Sequence, residues 1–78
     1  MSRVAIYGLE DGEPVLKAVV SEDMSVEGDW ADTVGDSIAG RPLALEQVRR
    51  MWDTGYTLAS IVGDGMQAPE RPGWSGGG

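Results

Sequence analysis

Cysteine, histidine and phenylalanine are all absent from these 78 residues, and only 6 side chains are basic. Without cysteine there is no disulfide to staple a small fold and no thiolate nucleophile. Without cysteine or histidine the usual structural zinc sites are excluded too. The missing histidine also rules out Ser-His-Asp and Cys-His arrangements. Lys17, a tyrosine or paired carboxylates are left as acid and base, and none sits in a catalytic motif. A non-enzymatic protein is expected, with no catalytic residue, cofactor or metal. Long apolar runs are also missing. Leu58 to Val62 is far too short to cross a bilayer, and the opening MSRVAIYGLEDG has a brief apolar run broken by acids, unlike a secretory signal. A soluble chain without a membrane partner is expected, in a cytoplasmic or virion setting that the lack of cysteine suits.

What the chain has in excess is acid. Its 13 acidic and 6 basic side chains give a net charge of −7. From Leu9 to Asp36 nine acids (Glu10, Asp11, Glu13, Glu22, Asp23, Glu27, Asp29, Asp32, Asp36) stand against Lys17 alone, −8 locally. From Ser37 to Thr54 three arginines face Glu46 and Asp53, +1. A molecule with one negative half and one nearly neutral half is expected. Such a field disfavours direct contact with nucleic acid and favours basic protein surfaces.

The chain is one small domain, near the size where burial only just offsets chain entropy. Its best-defined stretch is RPLALEQVRRMWDTG, Arg41 to Gly55. Pro42 suits a first helical position, Gly55 a C-terminal one, and Leu45, Val48 and Trp52 recur on one face while Glu46 reaches Arg49 and Arg50. This predicts a helix on which the core is centred, each buried side chain contributing on the order of 1.5–3 kcal/mol. Ahead of it, Arg3 to Leu9 and Pro14 to Val20 are rich in β-branched residues and flank EDGE, predicting a β-hairpin. Val15 and Val19 would share a side of the second strand, with an imperfect parity. Ser21 to Gly28 reads as a connecting loop. Asp29 then starts a short helix to about Ala39, with Asp29 as N-cap, Asp32 as the acid of a capping box and Trp30, Val34 and Ile38 along one face.

Tyr56 to Val62 fits either a strand or a helix capped by Thr57; its length and the following GDG favour a strand that would make the sheet three-stranded. Residues 66–78 form a Gly/Pro-rich tail after a domain spanning 1–65. The fold class expected is therefore α+β: an N-terminal β-hairpin, two short helices, a third strand and a tail. Asp29, Asp32 and Asp36 fall at helical spacing, but Ala31 and Thr33 stand where a calcium loop would alternate oxygen ligands, so capping and solubility account for them. The glycines of VGDG and GLEDG match neither a phosphate loop nor a dinucleotide fingerprint.

Two stretches carry resemblances. LALEQVRRMWDTGYTLASI resembles the first part of the helix-turn-helix of resolvase-type recombinases, with Gly55, Thr57 and Ile61 in the turn, cap and apolar places. GDGMQAPERPG stands where a recognition helix would follow. The resemblance therefore implies a helix-turn-helix-like packing without a vehicle for base readout. The order strand, strand, helix, strand with terminal Gly77 and Gly78 is similar to ubiquitin-like sulfur carriers of the β-grasp type, and implies an activated C-terminal glycine. Here Trp74 and Ser75 intervene between the last strand and the diglycine, which fits a low-complexity tail or expression remnant as well.

The reading that gathers most of these features is a small acidic protein-protein interaction module, a phage or bacterial accessory factor that binds and modulates a larger protein or assembly. The partner would offer a basic or apolar docking surface, and the acidic face would serve in one form as a mimic of nucleic acid. The expected protein-binding residues are Asp29, Trp30, Asp32, Asp36 and Trp74, the tryptophans as aromatic anchors.

Overall fold

The computed structural model describes residues 2–63. The expected tail, with Trp74, Gly77 and Gly78, lies outside them. The expected fold class stands: a small α+β domain with a four-stranded antiparallel sheet and two helices. The hairpin joins β1 (Arg3–Glu10) to β2 (Glu13–Ser21) through Asp11 and Gly12, whose φ of 55° and 82° are those of a type I′ turn. β4 (Thr57–Val62) pairs antiparallel with the other side of β1, so the stretch open between strand and helix is a strand. The helix-turn-helix packing is thereby excluded, since Thr57 opens β4 where it would cap a second helix. A fourth strand was not expected: Ser21 to Gly28 is no plain loop, because Val26–Glu27 pairs with β2 as β3, giving the order β3-β2-β1-β4.

Cross-strand partners share a face of a sheet. Val4 lies between Val20 and Ile61, and Ile6 between Ala18 and Ala59. This face meets Val34 and Ile38 of α1 (Ala31–Ile38) and Val48 of α2 (Leu45–Trp52). A bulge between Ile6 and Tyr7 leaves Lys17 as the extra residue of β2. It reverses the parity expected there: Val19 opposes Ala5 and Val15 opposes Gly8, so Val15 and Val19 lie on opposite faces.

Neither helix begins where the sequence suggested. α1 is preceded by Trp30 as N-cap residue, with no side-chain cap, so Asp29 does not cap it. Backbone contacts set its entry instead: the Trp30 N–H donates to the Lys17 carbonyl (2.9 Å) and the Ala31 N–H to the Gly28 carbonyl (3.1 Å). Asp32 still lies in the first turn, where the helix dipole favours an acid. α2 starts three residues after Pro42, behind Ala44, which has no side-chain acceptor; the Gln47 side chain turns back to accept the Ala44 N–H at 2.9 Å. α2 ends at Trp52, and Gly55 does not cap it. The Asp53 N–H closes the last turn on the Arg49 carbonyl, and Thr54 organises the approach to β4 by accepting the Tyr56 N–H on its hydroxyl (3.1 Å).

With only two turns in α2, the core is not centred there. Val48 is fully buried, but Leu45 and Trp52 are half-buried at the rim, and the centre belongs to Val4 and Ile6 on the strand flanked on both sides. No helix among the described residues is long and apolar enough to cross a membrane.

Candidate contact surface

Trp30 is held by its neighbours. Its ring lies over Gly8, where a Cβ would come within 2.6 Å of Trp30 Cη2, so only glycine leaves room for the indole there. The ring stands 6.5 Å from that of Trp52 at a tilt of 39°, and the Lys17 ammonium lies 5.9 Å from the Trp30 centroid. Both are geometries of favourable aromatic and cation–π contact. Lys17 in turn pairs with Glu10. Trp30 is thus half-buried and engaged within the domain, while the Trp52 Nε1 beside it is buried without an acceptor among the described residues.

Asp29, Asp32 and Asp36 are exposed along α1 and its entry. Among the described residues no cation lies within ion-pair distance of any of them, and no cluster of acids is disposed to hold a metal ion. Glu27 is exposed just before them, and Glu22 and Asp23 occupy the turn between β2 and β3. Asp23 is organised locally: it accepts from the Ser25 hydroxyl (2.7 Å) and N–H (3.0 Å), which hold its carboxyl below the usual carboxylate range. The cations of α2 are differently placed. Arg49 donates to Glu46 at 2.6 Å and reaches Asp53 at 3.5 Å, and Arg50 approaches Glu46 at 3.5 Å. The Arg49 side-chain hydrogen bond keeps the Glu46 carboxyl low, and Glu46 reciprocally raises the Arg49 guanidinium.

The sheet face turned away from both helices carries Ala5 and Tyr7 at its centre, with Val19, Leu16, Leu58 and Val62 around them. Burial pushes the Tyr7 phenol above its ordinary value. The sequence places Tyr7 only within the strand Arg3 to Leu9. Nor does it single out Tyr56, at 84% the most exposed large apolar side chain among the described residues. The signal was available, since Tyr56 stands between Gly55 and the strand, where a turn presents its side chain outward.

Of the expected binding residues, then, the structure brings Asp29, Asp32 and Asp36 to one exposed stretch and folds Trp30 inward beside it. Trp74 lies outside the described residues. No family model, curated protein or solved structure matches the chain.

Proposed function

We propose that the protein works by contact, as a small acidic module that binds and modulates a larger protein or assembly through that partner's basic surface, in the manner of a phage or bacterial accessory factor. The observation that carries this reading is the uneven pairing of charge. The arginines of α2 are engaged with acids one turn away, while Asp29, Asp32 and Asp36 project from α1 and its entry without a described counter-ion. Uncompensated surface acids steer a cationic partner and set its register, and they discourage an approach to nucleic acid. Trp30 then acts as the support that fixes the start of α1, and Trp74 is the sequence-derived candidate for an apolar anchor. A row of carboxylates presented to a basic site is also what a nucleic-acid mimic requires.

The test uses the full-length chain as bait in a host extract, beside full-length D29K/D32K/D36K and W74A, with capture read by mass spectrometry and repeated at rising salt. The expected partner is basic, is held by the unaltered chain, and is lost on charge reversal and at high salt. Capture of the same partner by the triple-lysine variant would sink the proposal.

A further inference from the structure

We propose that the groove between the β2–β3 turn, the start of α2 and the end of β4 is a docking site for a partner segment that inserts an aliphatic side chain and sets a lysine or arginine beside it against Glu22. This does not depend on the acidic contact surface of α1, none of whose residues lines the groove.

The groove is open, has a volume of about 450 Å³ and is floored by Met24, Leu43, Leu45 and Ile61, with Glu22 at its rim. Ile61 lies opposite Val4, on the sheet face that meets both helices, but the two short helices leave it 39% exposed. Before α2 the Leu43 N–H closes a tight turn on the Arg41 carbonyl at 2.9 Å, and the helix begins at Leu45. Both leucines are therefore half-buried against the core rather than within it.

Met24 comes from a strained turn. The Ser21 carbonyl accepts the Met24 N–H and the Ser21 N–H donates to the Ser25 carbonyl, both at 2.9 Å. Between these bonds Met24 has a φ of 69°. Such a left-handed place in a short hairpin loop suits glycine or asparagine, and a long apolar side chain there is an outlier. Glycine would close the turn with the same two bonds, so what methionine adds is its side chain. That side chain packs on the edge of the core but is only half-buried, and the groove presents the rest of it. Strain of this kind persists where the side chain is needed, and an unbranched thioether adapts to whichever aliphatic group enters.

The rim selects the occupant. No basic side chain lines the groove, whereas Glu22 does, and Asp23 beside it is exposed as well. Among the described residues no cation lies within ion-pair distance of either. The Ser2 N–H donates to Glu22 at 2.7 Å and helps to hold that carboxylate at the rim. An apolar floor beside two carboxylates complements an aliphatic side chain flanked by a cation, and repels an acidic segment.

The probe is a synthetic peptide, acetyl-Ser-Leu-Arg-Leu-Lys-Ser-amide, titrated into the isotope-labelled intact chain at low salt and followed by nuclear magnetic resonance. Expected are shifts centred on the methyl groups of Met24, Leu43, Leu45 and Ile61 and the amide of Glu22. The peptide with serine in place of leucine should give none. Met24→Gly keeps the turn, since glycine adopts its φ freely, and should retain the urea midpoint while weakening the peptide about tenfold. Glu22→Gln should weaken it about threefold, a difference that fades as salt is raised. The D29K/D32K/D36K chain should show the same shifts at the groove, which separates this site from the surface on α1. The proposal is overturned if the peptide shifts nothing at the groove, or if Met24→Gly lowers the urea midpoint and leaves the affinity unchanged, which would assign Met24 to core packing alone. Groove signals that move with the concentration of the chain by itself, and not with the peptide, would make a second copy the occupant and overturn it too.

Discussion

The two helices of this domain are each eight residues long and lie on the same face of one sheet, yet they are held in opposite ways. α1 has Val34 and Ile38 fully or almost fully buried, no side-chain cap and no basic residue in its last turn. α2 buries only Val48 but is rich in local side-chain bonds: Gln47 to its own start, Glu46 to Arg49, and Arg49 to Asp53. One helix is fixed by what it packs on and the other largely by what it carries. A helix positioned by its buried side can leave its outer side unpaired. The acids of α1 can therefore face outward as a contact surface, whereas those of α2 are neutralised where they stand.

The sharpest way to break this comparison is at Gly28. Its φ of +114° is a glycine conformation, and an added Cβ would lie 2.5 Å from the Lys17 carbonyl oxygen and 2.9 Å from Ala18 Cα. Backbone atoms cannot swing aside. Gly28→Ala should therefore combine conformational strain of about 1–3 kcal/mol with a comparable overlap cost, for a loss of about 3 kcal/mol or more in urea unfolding. The Trp30–Lys17 backbone bond would go with it, so the near-ultraviolet signal of the Trp30–Trp52 pair should change in the folded fraction. A loss below about 1 kcal/mol would mean that side chains, not this backbone lock, position α1.

Gly28 also shows how far the fold could be read from the sequence. The sequence marks it as the end of a loop, because nothing in SEDMSVEG signals a strand. Val26 and Glu27 are extended only because β2 offers an edge beside them. The elements dictated by local pattern were legible: the hairpin from its Asp-Gly turn, the apolar faces of both helices, and β4 from its length. What escaped depended on partners distant in sequence. The bulge at Lys17 reverses the expected parity of Val15 and Val19, and Gly8 accepts the Trp30 ring only because it lacks a Cβ. The start of α2 is not legible because Pro42 is the stronger local signal, whereas the observed start depends on Gln47 turning back to the Ala44 N–H. For the candidate site, the exposure of Asp29, Asp32 and Asp36 was legible from their spacing. The engagement of Trp30 was not, since an aromatic heading a helix face can turn either way until its neighbour is known.

Gly35 sharpens the comparison in the other direction. It sits within α1 with nothing within 4 Å of where a Cβ would be, and its φ is not positive. Gly35→Ala should stabilise the domain by about 0.5–1 kcal/mol, from helix propensity alone. The denaturant midpoint should rise with an unchanged slope. A gain of that size would establish that α1 relies on packing to tolerate a poor helix former. No gain would indicate that the glycine answers a constraint beyond the helix itself.

The smallest effect concerns α2 and its charges. The Arg49 hydrogen bond, aided by the charges of Arg49 and Arg50, holds the folded-state carboxyl of Glu46 below its ordinary value. A carboxyl with a depressed folded pKa adds stability that is fully present above its unfolded pKa, near 4.5, and is lost as pH falls through the lower folded value. The acid side of the stability profile should thus carry a contribution that Glu46→Gln removes. The two profiles should differ at neutral pH and converge below the depressed pKa. Because the pair is solvent-exposed, the difference should also shrink as salt is raised. The triple change on α1 and its entry, Asp29, Asp32 and Asp36 to lysine, should show no such convergence traceable to a broken pair, since no described cation neighbours those carboxylates. If both helices lost the same acid-dependent contribution, the distinction between self-neutralised and outward-facing charge would fail, and with it the reason for placing the contact surface on α1.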